Sequence, residues 1–330
     1  MIVDLPDTTT SKISKKIMSL REQGGVIALG RVLTLVVITR SGFEEDAIEA
    51  ANEASREHPC RIIVLADAGA EAPTRLDAQI RVGGDAGASE VIVLRGSGEL
   101  AGESESLVAA LLLPDAPIVA WWPHDAPNNA YQSSIGRIAH RRITDSGSEA
   151  EPLAALENIR RTYKAGDTDL AWTRLTNWRI QLAAVLDQAD DSPVTAVEVE
   201  GASDSPSTAL LAAWLTLALD VPVTIVADPA GTGIRRVRLR RRSGDIQLLR
   251  PGQTVAELTQ PGQPAQRISL PRRSLKACLA EELRRLDPDE VFGETVRSLD
   301  ISKMHQEGRM MLTGSAEPER NRDRLSLIAV

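Results

Sequence analysis

Residues 32–67 alternate between two textures. VLTLVVIT (32–39) and CRIIVLAD (60–67) are apolar, largely β-branched runs, the pattern of strands buried on both faces. Between them, FEEDAIEAANEASREH (43–58) repeats its apolar residues at helical spacing. Strand, helix and strand with short turns predict a βαβ unit with a parallel pair. The same patterning extends over the first half of the chain. It predicts a helix at 11–23, capped by Thr10 or Ser11, and strands at 79–82, 89–94, 116–122 and 141–146. Further helices are expected at 104–113 and near 130–140.

Residues 151–190 read as helical throughout. Trp172, Leu175, Trp178, Leu182 and Val185 recur every three or four positions and fall on one stripe. β/α alternation then resumes with a strand at 194–201, a helix at 205–220 and a strand at 221–228. GIRRVRLRRRSGDIQLLR (233–250) reads as a hairpin pivoting on Ser243-Gly244-Asp245. Two helices, at 274–286 and 288–298, precede a charged stretch, EPERNRDR, expected to be mobile. A shift of about 105 residues lays VIVLRG (91–96) on AVEVEG (196–201) and DAPIV (115–119) on DVPVT (220–224). The fold expected is therefore α/β, with two related halves and mostly parallel sheets. An N-terminal domain (1–150) and a C-terminal domain (191–330) flank a helical connector (151–190). The C-terminal domain carries the antiparallel hairpin region.

Composition narrows the function classes. The 330 residues carry a net charge of −8, which argues against a general nucleic-acid binder. No apolar window is long enough to span a membrane and no stretch reads as a signal peptide, so a cytoplasmic location is expected. Two cysteines and four scattered histidines suggest neither a disulfide framework nor a metal site. No nucleotide-loop, nucleophile-elbow or zinc-protease motif is present. GSGELAG (96–102) departs from the dinucleotide fingerprint and is surrounded by Glu99, Glu103 and Glu105. It is read as an acidic strand–helix turn. No cofactor and no catalytic residue is expected.

Three features remain as site candidates. On an extended strand, Arg236, Arg238, Arg240 and Arg242 share one face, and such a row repels itself unless something answers it. It reads as a solvated face, or as a docking site for an acidic partner or a phosphorylated ligand. Trp121 and Trp122 stand together in a chain with nine aromatic Phe, Trp and Tyr residues, followed by Pro123 and His124. Alternation sends the two rings to opposite faces. One is expected in the core and the other at an interface, near the carboxyl end of a strand where sites form. Cys60, beside Arg56, His58 and Arg61, is the better redox candidate. Cys278, on one side of the helix at 274–286, reads as an inert buried thiol.

Several longer stretches carry a family resemblance. They are LPDTTTSK (5–12), REQGGVIALGRVLTLVV (21–37), ANEASREHPCRIIVLA (51–66), LLLPDAPIVAWWP (111–123) and DTDLAWTRLTNWR (167–179). In this order they resemble the actinobacterial glucose-6-phosphate dehydrogenase assembly proteins, the OpcA family. The resemblance implies a non-enzymatic partner of that dehydrogenase, which produces NADPH as the first enzyme of the oxidative pentose phosphate pathway. Its implied role is promotion of the active oligomer, with allosteric activation. It supplies no catalytic residues, and the redox-active cysteines of photosynthetic relatives match no motif around Cys60 or Cys278. The competing reading is an enzyme or sensor that takes a sugar phosphate or nucleotide on the Arg-rich strand. Self-association is left open.

Overall fold

In a computed structural model of the chain, residues 1–24, 32–82, 90–229, 231–299 and 309–312 are described. They form two compact units, neither continuous in sequence. The first contains 1–148, 164–170 and 274–288; the second contains 149–163, 171–273 and the residues from 289 onward. The stretch expected as a connector is thus divided between the units, and the helix near 280 belongs with the N-terminal residues.

The first unit is built on an eight-stranded sheet. Its strands are β1 (Ile2–Leu5), β2 (Leu33–Arg40), β3 (Cys60–Asp67), β4 (Arg75–Arg81), β5 (Glu90–Ser97), β6 (Ile118–Trp121), β7 (Arg141–Thr144) and β8 (Asp167–Asp169), in the order β1-β4-β5-β3-β2-β6-β7-β8. From β5 through β8 every neighbouring pair is parallel, while β4 is antiparallel to both β5 and β1. The helices α1 (Thr10–Gly24), α2 (Glu44–Ser55) and α3 (Glu105–Val108) come from the first part of the chain.

Strand parity sorts this sheet into two cores. Leu33, Leu35 and Val37 of β2 pack with Ile62 and Val64 of β3, Val119, and the α2 alanines. Val36, Ile63, Ile92 and Ala120 point the other way, toward Ile13, Ile17 and Leu20 of α1. Helices on both sides explain why the strands read as continuous apolar runs. Trp121 belongs to the first core and Trp122 to the second, at 0% and 2% exposure. The interface Trp expected from the sequence is therefore core as well; its second layer is the α1 side of the same unit. The Trp122 indole N–H donates to Glu103 Oε2 at 3.2 Å.

Three local expectations change. Residues 130–140 form a 3-10 turn at 130–132 followed by tight turns, in place of a helix. Asn129 Oδ1 accepts the Gln132 N–H, Ser133 Oγ accepts the Gly136 N–H, and a side chain at Gly136 would meet Ala130 O at 1.7 Å. These local bonds compete with a helix. The helix at 104–113 shortens to α3 and a 3-10 turn at 109–111, ahead of Leu113-Pro114, where helical backbone is disfavoured. Strand β8 interrupts the stretch read as helical. It enters through Gly166, whose φ of +94° suits glycine.

The second unit pairs one helical layer with a seven-stranded sheet. Its strands are β9 (Val194–Gly201), β10 (Val223–Ala227), β11 (Ile234–Arg241), β12 (Ile246–Leu249), β13 (Val255–Thr259), β14 (Gln266–Ser269) and β15 (Arg309–Leu312), in the order β14-β13-β12-β11-β9-β10-β15. Only β9 and β10 pair in parallel among the described residues. The antiparallel region expected as a hairpin thus dominates this sheet. The helices are α4 (Pro152–Thr162), α5 (Leu170–Thr173, all but its first residue in this unit), α6 (Thr176–Gln188) and α7 (Pro206–Leu219). The Trp172–Val185 stripe is buried as expected, although it spans α5, a break and α6. Late in the chain come α8 (Leu275–Arg284), which packs on α2 in the first unit, and α9 (Glu290–Ser298), which joins the core of the second unit. All inward residues of β9–β13 contact one core. The suspected repeat shares strand and helix order but not topology: β9 and β10 are neighbours, whereas β3 and β2 separate β5 from β6. The EPERNRDR stretch lies outside the described residues.

Trp121→Ala and Trp122→Ala should each cost about 3–5 kcal/mol of stability in urea melts. A loss below about 1 kcal/mol for either ring would show that it is not a core side chain.

Candidate functional site

Strand β2 leads through α2 to β3 on one side, while β6 lies on the other side of β2. That reversal is a topological switch point, and the crevice beyond the carboxyl ends of β2 and β6 is where open α/β sheets take ligands. Here the chain fills it with its own side chains. Thr39 Oγ1 is 2.9 Å from His124 Nε2, and His124 Nδ1 is 2.8 Å from Asp125 Oδ2. Arg40 pairs with the same Asp125 oxygen at 2.7 Å, and Phe43 meets the His124 ring edge-on at 5.3 Å. A neutral His124 with its proton on Nδ1 satisfies both bonds. The order Asp–His–Thr is that of a nucleophile relay, but Thr39 is buried, at 5% exposure.

The electrostatics of the crevice oppose a pyrophosphate. The first turn of α2 carries Glu44, Glu45 and Asp46, where a bound phosphate needs positive potential. Glu44 is buried and pairs with Arg95 at 2.7 Å. Burial pushes its carboxyl upward, but hydrogen bonds from its own backbone N–H, from Arg95 and from the Gly42 N–H together hold it below its ordinary value of 4.5. The nearby GSGELAG glycines serve the loop itself. A side chain at Gly96 would strike Leu100 O at 1.9 Å, and one at Gly98 would strike Thr74 at 2.6 Å.

On the second sheet, the arginine row is answered within the molecule. β11 lies against β9 with Arg236 opposite Glu200 and Arg238 opposite Glu198. Arg236 pairs with Glu200 at 2.6 Å and Arg240 with Glu198 at 2.5 Å. Arg238 reaches Glu198 at 3.8 Å and Gln247 at 3.2 Å. The row is shorter than strict alternation predicts. A register shift between Arg240 and Arg241 turns Arg241 inward to Asp190 and ends the strand, so Arg242 sits in the turn. A second shift at Ile234/Arg236 frees Arg235 to approach Glu200 and Asp228 at 3.7 and 3.6 Å. The glutamates were the missing half of the pattern. Their signal was the alternation in VTAVEVEG, with Glu198 and Glu200 on one face.

The other candidates move inward. Cys60 and Cys278 are both 0% exposed and belong to one core cluster. Arg61, expected to activate Cys60, instead pairs with Glu90 at 2.8 Å. Burial thus withdraws the access and the electropositive setting that a redox thiol needs. His124, Trp121 and Trp122 converge at the carboxyl end of β6, but only His124 reaches the crevice surface. Thr39, Arg40, Phe43 and Asp125 complete that cluster and were not singled out in the sequence. No group of three His, Cys, Asp or Glu among the described residues could hold a metal.

Comparison with known families gives two adjoining matches. Residues 51–161 match the glucose-6-phosphate dehydrogenase subunit N-terminal domain, and residues 165–296 match the C-terminal domain of the same subunit. The chain belongs to the OpcA family. The OpcA matches meet between 161 and 165, where the chain passes from the second unit to β8 of the first. No curated protein matches the chain. Among solved structures, glucose-6-phosphate 1-dehydrogenase from Mycobacterium avium aligns at 13% identity and a TM-score of 0.37, over 81% of this chain and 91% of that one. UDP-N-acetylglucosamine 3-dehydrogenase GnnA from Acidithiobacillus ferrooxidans aligns at 11% identity and 0.32, over 80% and 94%. Likenesses at these scores support no statement about this OpcA-family chain.

Glu44→Gln should lower stability by about 1–3 kcal/mol at neutral pH, since it removes a buried, charge-assisted bond. Glu44's native pKa is depressed, so its stabilisation is present above pH 4.5 and is lost as pH falls through the native value. Chemical melts across pH should show the gap between wild type and variant closing on the acid side. A gap that stays constant would contradict the assignment.

Proposed function

We propose that the chain is a non-catalytic assembly factor and allosteric activator of glucose-6-phosphate dehydrogenase. The observation that carries this reading is the pair of subunit-domain matches, in order, over 51–161 and 165–296. The crevice of the first unit supports the non-catalytic part. Its nucleotide position carries the acidic first turn of α2, and Asp125, His124 and Phe43 engage one another across it. A partner that binds the active oligomer better than its separate subunits shifts assembly by mass action. If it also prefers the enzyme state with higher substrate affinity, linkage makes the effect reciprocal, and substrate or NADP tightens the complex.

The docking face in this reading is the outer side of β9 and β11, where Arg236, Arg238 and Arg240 alternate with Glu198 and Glu200. That side faces away from the core that holds the helices of the second unit. The partner therefore meets a patterned, nearly neutral surface rather than a basic one. This differs from the acidic partner suggested by the arginines alone.

Purified chain added to the dehydrogenase should raise its specific activity and shift it to a larger species in light-scattering chromatography. No complex and no rate change would refute the reading. Unchanged affinity with and without glucose 6-phosphate or NADP would remove the allosteric part and leave assembly. Arg238→Glu should weaken the complex about tenfold or more through like-charge contact with Glu198, while circular dichroism stays native. Wild-type affinity in the folded variant would exclude this face.

A further inference from the structure

Most of the buried arginines among the described residues are paired with acids. Arg61, Arg141, Arg142 and Arg241 each meet a carboxylate, from Glu90, Glu282, Asp167 and Asp190. Arg250, at 7% exposure, meets none among the described residues. Its guanidinium donates to two carbonyls, Leu270 O at 3.2 Å and Ile234 O at 3.1 Å, and lies 5.1 Å from the Trp178 ring. Its Nε–H has no acceptor. Burial, and then the charge of Arg272, push its pKa down to about 10. A buried cation without a counter-charge is costly unless something else supplies one.

The surroundings are those of an anion site. Arg250 follows β12, and its N–H donates to Arg235 O at the start of β11, the end of the sheet where β9 and β10 terminate. Arg272 is exposed and donates to Thr232 O at 2.9 Å, and a side chain at Gly233 would meet it at 3.4 Å. The first turn of α7 starts at the same end, just past Gly201. Thr208 in that turn is 2% exposed, and its hydroxyl has no partner. A side chain at Gly201 would collide with that hydroxyl at 2.6 Å and with Gly233 O at 3.0 Å, so glycine is what lets the strand end approach both groups this closely. The nearby carboxylates are Asp228, which approaches Arg235 at 3.6 Å, and Asp204, exposed in the β9–α7 loop.

We propose that this end of the second sheet binds a phosphate monoester. Arg250 and Arg272 supply the counter-charge, and the Thr208 hydroxyl supplies a further donor. The site goes beyond the partner reading and does not depend on it. It also differs from the sugar-phosphate site expected on the arginine row, whose charges Glu198 and Glu200 largely offset.

The test is a thermal-shift titration of the full chain alone, at constant ionic strength, with inorganic phosphate, glucose 6-phosphate, acetate and chloride. Both phosphates should raise the melting temperature beyond acetate and chloride. Tighter binding of glucose 6-phosphate would indicate that a sugar is read as well, and equal binding would indicate phosphate alone. Arg272→Ala, a surface change, should weaken both by about tenfold. Arg250→Met should abolish the shift; if that variant fails to fold, Arg272→Ala still decides. A shift no larger than with acetate or chloride, or one kept in full by Arg272→Ala, overturns the proposal. Because no dehydrogenase is present, failure here leaves the assembly reading untouched.

Discussion

Successive residues of a strand point to opposite faces, and in the first unit both faces are buried. This parity governs most of what that unit contains. It requires every residue of the central strands to be apolar or fully satisfied, which produces the runs LTLVVIT and RIIVLA. It requires a helical layer on each side, and the chain supplies α1 and α3 on one side and α2 on the other. It also explains why residues 274–288 return to this unit: Cys278, Leu279 and Leu283 of α8 complete the core over β2 and β3. The two indoles follow the same rule. Trp121 and Trp122 are adjacent in sequence because each core needs one large side chain at the end of β6.

The second sheet follows the parity with a different outcome, because among the described residues helices cover only one of its faces. Val197, Val199, Val237, Leu239, Ile246 and Leu248 point inward. Their neighbours, Glu198, Glu200, Arg236, Arg238 and Gln247, point outward. A row of like charges on one strand is unfavourable, and cross-strand pairing with a row of opposite sign relieves it. The register of β9 against β11 places glutamate opposite arginine at two successive pairs. The half-exposed pairs add little stability one by one. Together they remove the self-repulsion and hold long side chains in fixed positions.

Much of this was legible in the sequence, and the reasons for the misses are physical. Strands β2, β3, β9 and β11 were evident because continuous or alternating apolar patterns leave few other solutions. Strands β1 and β8 were not, because four- and three-residue edge strands carry no periodicity of their own. The tight turns at 129–136 owe their form to side-chain-to-backbone bonds from Asn129 and Ser133, which hydrophobic periodicity does not register. Two register shifts in β11, invisible to strict alternation, moved Arg242 off the face and exposed Arg235. The Trp pair was placed on opposite faces correctly. Its second layer was missed because α1 precedes β6 by some hundred residues, and sequence spacing does not reveal which side of a sheet a distant helix covers.

The arginine row carries the largest change of meaning. Read as a strand alone, it is a concentrated positive charge that asks for an acid or a phosphate. Read with its neighbour, it is half of a nearly neutral lattice whose charges repeat at the spacing of strand residues. Long-range attraction to such a face is weak, since opposite charges cancel within a few ångströms and salt screens what is left. Discrimination then rests on matching the order of signs at contact range, where one misplaced charge costs more than a matched one contributes. A partner fitted to this lattice is selected by register, and the inward half of the same strands, packed on one core, keeps that register rigid.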